Sequence, residues 1–157
     1  MINKVSFKEV LYAGFLKIRE MEGLPIQTKH RMLWEMLGMN GQRKDFWRVV
    51  GITELAYTKI VENNYKLPKG TGHDKINRSH INDRMETSKV MLEGPLMDID
   101  TWWKFYKDND ITVLATATEN KSKDKEVIKY KVPSGLFETQ GFTARVGPEE
   151  VEFLKGL

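Results

Sequence analysis

The sequence contains no cysteine, only three histidines and no long hydrophobic run. Without cysteine there can be no disulfide, thiolate zinc site or cysteine nucleophile, so a bound metal needs imidazole, carboxylate, amide or backbone oxygen ligands. These ligands favour a hard divalent ion such as Mg²⁺ or Mn²⁺ over structural zinc. Neither a signal-peptide core nor a membrane-length segment is present. We therefore expect an intracellular, cytoplasmic protein without a membrane partner.

The charge of the chain is unevenly distributed. The 157 residues are 40% hydrophobic, enough for the core of one domain or of a small domain with an appended lobe. The first 90 residues carry 16 Lys and Arg against 10 Asp and Glu, and the remainder carries 9 against 12. This asymmetry favours nucleic acid as a partner of the N-terminal half. Ordinary solvated helix faces would give the same charge balance.

Helical signals dominate residues 1–64. Apolar residues recur at helical spacing, and polar residues able to cap a helix precede three of the segments. The helices predicted in this way cover about 7–22, 28–38, 44–50 and 53–64, with Ser6, Thr28 and Thr53 as caps. We therefore predict an N-terminal helical lobe. Its short helices and tight joints resemble a helix-turn-helix arrangement, which would suit DNA binding.

The pattern changes twice after this lobe. Residues 65–79 contain one Pro, two Gly and little periodicity, which predicts an exposed basic loop or linker. Residues 80–157 are predicted to form a mixed portion with helices over about 84–93, from an Asp98 or Asp100 cap, and over 148–155. The strands predicted in this portion cover 111–116, 126–132 and 141–146. The fold class is therefore α+β, a helical lobe followed by a small antiparallel sheet with helices.

Seven cations are candidates for binding nucleic acid because they lie in or near predicted turns. They are Arg43, Lys44, Arg48, Lys66, Lys69, Lys75 and Arg78. Cations of this kind release counterions when they contact a phosphate backbone, and the nearby Trp47 can stack on a base. Alternatively, Phe46 and Trp47 anchor a short helix and the cations remain in water.

Two segments in the middle of the chain resemble the core of a nuclease family. Residues 79–84 read Ser-His-Ile-Asn-Asp-Arg, and residues 110–120 read Asp-Ile-Thr-Val-Leu-Ala-Thr-Ala-Thr-Glu-Asn. Over about 78–121 the chain is similar to a divergent HNH (His-Me finger) endonuclease, a type often found in phage proteins acting inside a bacterial host. The family core has two adjacent strands before its helix, whereas here a long, predicted helical insert separates the two halves.

The resemblance implies a role for each matching residue. His80 would be the general base that activates water against a phosphodiester of DNA, oriented by Asp110 or by the neighbouring Asn109. Arg84 would contact phosphate, and Asn120 would hold a divalent metal ion by its amide oxygen. Ser79 stands where the family has a metal-binding acid or His. A substitute ligand would then come from Asp83, Asp74 or Glu119.

Other functions remain open. Thr116 and Glu119 form a capping-box pattern that would give Glu119 a purely structural role. The chain could be a non-enzymatic nucleic-acid-binding or transcription-modulating protein, or a phage-encoded regulator or inhibitor with a protein partner. Ser79 together with a well-placed substitute carboxylate would favour the nuclease, and the absence of any carboxylate close to His80 would favour the other two functions.

Overall fold

A computed structural model of the protein describes residues 5–38, 48–68, 75–122, 128–138 and 146–157. The helices in these ranges are α1 (Phe7–Glu20), α2 (Ile26–Gly38), α3 (Glu54–Glu62), α4 (Arg84–Glu93), α5 (Ile99–Asn109), α6 (Ala117–Lys121) and α7 (Pro148–Lys155). The strands are β1 (Arg48–Ile52), β2 (Ile76–His80), β3 (Ile111–Thr116) and β4 (Tyr130–Lys131). The predicted α+β class is confirmed. None of the described helices is long and apolar enough to cross a membrane.

The elements separate into two compact units that are discontinuous in sequence. The helical unit contains α1, α2, α4 and α5, and the sheet unit contains the four strands with α3, α6 and α7. The chain leaves the sheet unit between Ile81 and Asn82 and returns to it between Asn109 and Asp110. These units therefore differ from the predicted division at residues 64 and 79, because each combines segments that are distant in sequence.

Aromatic packing organises the helical unit. The capping box of Ser6 and Glu9 starts α1, as predicted. The apolar stripe of α1 then buries Phe15, which stacks on Trp102 of α5 with ring centroids 5.1 Å apart. Asp98 begins α5 by accepting hydrogen bonds from the backbone at the first turn. Trp102 is fully buried, so this stack belongs to the core of the helical unit.

The sheet is mixed and has the strand order β2-β3-β1-β4. β3 pairs antiparallel with β2 and parallel with β1, and β4 pairs antiparallel with β1. The prediction of a wholly antiparallel sheet is therefore wrong for the β1–β3 pair. One face of the sheet forms a core with α3, α7 and Phe137, and its buried apolar residues are Val49, Ile52, Ile76 and Leu114. A Cβ atom on Gly51 would lie 2.4 Å from Ile128 Cγ2, so glycine is needed there.

Several predicted boundaries need correction where long-range pairing overrides local pattern. Residues 48–50 belong to β1 and not to a helix, because they pair with β3, and 44–47 lie outside the described residues. Residues 76–79 are part of β2 and not of a loop. Thr28 lies inside α2, which begins at Ile26. The predicted strand over 126–132 is reduced to β4 in its described part, and of the one over 141–146 only Val146 is described, outside any strand.

Candidate active site

A histidine and an aspartate meet at one end of the sheet. His80 is the last residue of β2, and Asp110 immediately precedes β3, which pairs with β2. The His80 Nε2 atom lies 2.9 Å from Asp110 Oδ1. Only 14% of the His80 side chain and 2% of the Asp110 side chain are exposed. Asp110 therefore fixes the orientation of the imidazole in a largely buried position.

The contact determines which imidazole nitrogen is basic. When Nε2 carries the hydrogen donated to Asp110, Nδ1 of His80 is the nitrogen able to accept a proton. Imidazole titrates near neutral pH, so a carboxylate-oriented histidine is suited to general-base catalysis. The pair can therefore take a proton from a bound water molecule or hydroxyl group.

Arg78 is close to this pair and buried. Because side chains alternate along a strand, Arg78 and His80 face the same side of β2. Arg78 is 7% exposed and is paired with Leu114, a core residue of β3. Burial lowers the pKa of its guanidinium from the ordinary value, and the negative charge of Asp110 opposes that change. The expectation that Arg78 is an exposed cation of a loop is therefore wrong, because strand pairing buries it.

Arg48 brings an exposed cation to the same end of the sheet. It is the first residue of β1 and pairs with Ile111, while His80 pairs with the next residue, Thr112. Arg48 and His80 thus lie on the two strands that flank β3. Their backbones are about 10 Å apart, which corresponds to two strand spacings. Ile111 and Thr112 are consecutive residues of β3 and face opposite sides of the sheet, so the exposed Arg48 lies on the face opposite to His80.

The helix α6 carries two predicted metal ligands and begins at the opposite end of β3. Thr116 pairs with Ile76, and α6 follows directly and packs against β2 and β3. Glu119 Oε2 accepts hydrogen bonds from Thr53 Oγ1 at 2.8 Å and from Thr116 N and Oγ1 at 2.8 and 3.0 Å. The structural alternative, a capping box of Thr116 and Glu119, is therefore confirmed. Asn120 is exposed.

Asp83 and Arg84 belong to the helical unit. Asp83 caps α4, its Oδ1 accepting a hydrogen bond of 2.7 Å from Met85 N. The Arg84 guanidinium lies 4.7 Å above the ring of Trp34, and Trp34 Nε1 donates to the Arg84 carbonyl oxygen at 3.0 Å. The structure thus gives Asp83 and Arg84 roles within the helical unit, and their predicted metal and phosphate contacts stay predictions.

The donor atoms test how well the chain fits a divalent metal ion. Within the described ranges, no group of three or more His, Asp or Glu side chains could hold a metal ion together. The α6 donors are the amide oxygen of Asn120 and the carboxylate of Glu119, which is already engaged as a cap. Two oxygen donors suit Mg²⁺ only when water and substrate phosphate complete its shell. The residues therefore suit a metal ion whose coordination shell is completed by water and substrate phosphate. They do not suit a site in which the protein supplies most of the ligands.

The remaining candidates for nucleic-acid binding are placed only in part. Lys66 and Lys75 are exposed, and Lys75 immediately precedes β2. Arg43, Lys44 and Lys69 lie outside the described residues, as do Trp47 and Asp74.

Two features of the site were missed from sequence. Thr53 was predicted only as a cap of α3, yet its hydroxyl also donates to Glu119. Arg78 was assigned to a loop, although Ile-Asn-Arg-Ser-His has the alternation that places residues 76, 78 and 80 on one strand face. That alternation was the available signal for grouping Arg78 with His80.

Comparisons with protein-family models, with curated proteins and with solved structures find no match to this chain.

Proposed function

We propose that the protein is a metal-dependent, HNH-like endonuclease that hydrolyses phosphodiester bonds in DNA with His80 as the general base. The observation that carries this proposal is the 2.9 Å contact between His80 Nε2 and Asp110 Oδ1. Asp110 stands where the resemblance to HNH nucleases puts the residue that orients the catalytic histidine, so this contact supports a nuclease. We also propose that the protein is encoded by a phage and acts in the cytoplasm of a bacterial host.

The arrangement of secondary structure around His80 also supports the proposal. The resemblance to HNH nucleases calls for two adjacent strands followed by a helix, although 29 residues separate His80 from Asp110. β2 and β3 pair over five residues, and α6 follows β3 directly. The intervening segment forms α4 and α5, which belong to the helical unit. The insert is therefore compatible with the strand pairing that the family requires.

Each residue of the proposed site has a separate role in hydrolysis. Asp110 holds the imidazole, and His80 accepts a proton from the attacking water through Nδ1. The exposed cations of Arg48, Lys66 and Lys75 follow the DNA backbone. Asn120, with Glu119 as second donor, would hold a divalent ion at the α6 end of β3, which is the end opposite to His80. Such an ion would supply stabilisation of negative charge to phosphoryl oxygens bound at that end.

A cleavage assay on duplex DNA with Mg²⁺ or Mn²⁺, and with EDTA as a blank, tests the proposal. We expect His80→Ala to reduce cleavage by about 10²- to 10⁴-fold, because a general base contributes that much. DNA affinity should remain within about twofold of the parent, since the imidazole is a small part of a phosphate-dominated interface. Asp110→Asn should cause a smaller loss, because its amide oxygen can still accept a hydrogen bond.

Matched controls separate catalysis from folding. Asp108→Asn changes an exposed carboxylate two residues before Asp110 and should leave the rate unchanged. Because His80 is largely buried, His80→Ala should lower the free energy of unfolding by about 1 kcal/mol, which thermal melting can measure. Absence of cleavage by the parent, or equal rates for parent and His80→Ala, would contradict the nuclease. Salt-sensitive DNA binding without cleavage would then favour a non-enzymatic nucleic-acid-binding protein.

A further inference from the structure

We infer that Arg78 is a positioning residue of the His80 site, which acts through Asp110 and does not bind nucleic acid. The catalytic role of Arg78 rests on the nuclease proposed above, whereas the effect of Arg78 on the protonation of His80 does not. Arg78 is 7% exposed and lies in the middle of the five-residue strand β2. A guanidinium in this position cannot follow a phosphate backbone in solvent.

The direction of the side chain points to the histidine–aspartate pair. Arg78 and His80 are two residues apart on β2, so they face the same side of the sheet. The residues next to Arg78 along and directly across that face are apolar, namely Ile76 on the same strand and Leu114 on β3. The uncharged Thr112 and Thr116 lie across from His80 and Ile76. A charged group among such neighbours needs a compensating charge. Asp110, in contact with His80, supplies a buried charge of opposite sign.

The electrostatic relation between Arg78 and Asp110 supports this interpretation. Burial lowers the pKa of the Arg78 guanidinium, and the charge of Asp110 acts in the opposite direction. Attraction between the two groups has a consequence for His80. An isolated carboxylate beside an imidazole favours the protonated imidazole, which cannot act as a base. Arg78 offsets part of this effect and so keeps His80 neutral at a lower pH.

Two other roles for Arg78 give different expectations. If Arg78 only fills space in the sheet, an apolar side chain of similar length would replace it without changing the titration of His80. If it contacts DNA after a rearrangement, its removal would weaken binding and leave His80 in the unbound protein unaltered. The pKa of His80 in the unbound protein therefore separates the positioning role from both alternatives.

The experiment is an NMR pH titration of the His80 imidazole in the parent, Arg78→Met, Arg78→Lys and Lys131→Met. Lys131→Met is the matched control, because it removes one exposed cation from the sheet unit. Arg78→Met removes a positive charge that opposes protonation, so it should raise the pKa of His80 by about one unit. Arg78→Lys keeps the charge and should hold the change within about 0.5 units, while Lys131→Met should shift the pKa by less than about 0.3 units.

The outcomes distinguish this inference from the proposed nuclease. A pKa of His80 in folded Arg78→Met that equals the pKa in the parent would overturn the inference. If Arg78→Met does not fold, the ¹⁵Nε resonance of Arg78 is compared between the parent and Asp110→Asn. A shift of that resonance supports the inference, and an unchanged resonance overturns it. None of these measurements requires cleavage, so a protein that cuts nothing can still show the Arg78 effect.

Discussion

The helical unit and the sheet unit bury different kinds of side chain. The helical unit buries large aromatic residues, including Phe15, Trp102 and Tyr106, and its buried polar residues are uncharged or imidazole groups. Among the residues that the structure describes, the buried members of the Asp, Glu, Lys and Arg classes are Arg78 and Asp110. Both belong to the sheet unit and lie beside His80.

The two units therefore differ in what their buried side chains contribute to stability and to chemistry. Burial of aromatic side chains stabilises a fold and leaves few buried polar groups that need hydrogen-bond partners. Burial of charges removes hydration, so an ion pair often contributes less to stability than apolar side chains of the same size. Perturbed ionisable groups in such positions are typical of functional sites. The sheet unit is therefore the place to look for chemistry, and the helical unit is the place to look for stability.

Polar contacts in the helical unit differ in purpose from those in the sheet unit. Arg19 donates to the carbonyl oxygens of Met91 and Gly94 at 2.7 and 2.5 Å, so its charge ties α1 to the end of α4. His30 contacts Ser88, whose hydroxyl also donates to a backbone carbonyl of α4. These side chains satisfy helix ends and connect helices. In the sheet unit, the His80–Asp110 contact joins two ionisable groups instead.

The largest effect that we predict would break the aromatic core of the helical unit. Trp102→Ala should lower the free energy of unfolding by about 3–5 kcal/mol, because it removes a fully buried indole that stacks on Phe15. Trp102→Phe should lower it by less than half as much. The loss is smaller because phenylalanine keeps an aromatic ring at this position. The substitution also removes an indole N–H that has no acceptor among the described residues. Denaturant unfolding followed by circular dichroism measures both.

The control for this core substitution is Leu96→Ala. Leu96 is 61% exposed, so its loss should change the free energy of unfolding by no more than about 0.5 kcal/mol. Similar values for Trp102→Ala and Leu96→Ala would contradict the view that aromatic packing stabilises the helical unit.

A smaller effect is predicted for Glu119, which caps α6 in the sheet unit. Glu119→Ala removes the acceptor for Thr53 Oγ1 and Thr116 N and should cost about 2 kcal/mol of unfolding free energy. This loss should occur in EDTA as well as in Mg²⁺, because the hydrogen bonds do not involve a metal. Glu62→Ala, an exposed carboxylate on α3, should cost less than about 0.5 kcal/mol. A loss seen only in Mg²⁺ would instead make metal binding the main role of Glu119.

Local features of this fold could be predicted because they depend on a few neighbouring residues. The caps at Ser6 and Thr53 and the box of Thr116 and Glu119 use hydrogen bonds within three positions, and all are present in the structure. β3 was predicted with the observed bounds because its β-branched run is strong in isolation. α7 likewise begins at Pro148 as predicted.

Long-range features could not be predicted from the same patterns. β1 pairs with β3 across about sixty residues, and no local signal in 48–52 specifies a parallel partner. The Gly and Pro that precede β2 indicate a loop, but the pairing of β2 with β3 decides its conformation. The His80–Asp110 contact followed from the resemblance to HNH nucleases, not from spacing. The prediction of Arg78 as an exposed loop residue is wrong because burial depends on which distant segments pack over a residue. Local sequence patterns do not specify those segments.

The smallest predicted effect is the pH dependence of a helix cap in the helical unit. Asp98 accepts hydrogen bonds from Thr101 Oγ1 at 2.6 Å and from the backbone N atoms of Thr101 and Asp100 at 3.0 Å. The bonds from Thr101 are the main reason why the pKa of Asp98 is lowered from its ordinary value of 3.8. The cap therefore contributes fully above that value and loses its contribution as pH falls through the lower folded-state pKa. Asp98→Asn caps without titrating, so between about pH 5 and pH 2 it should lose less stability than the parent in urea unfolding. Parallel pH profiles for the two proteins would show that this carboxylate does not stabilise α5.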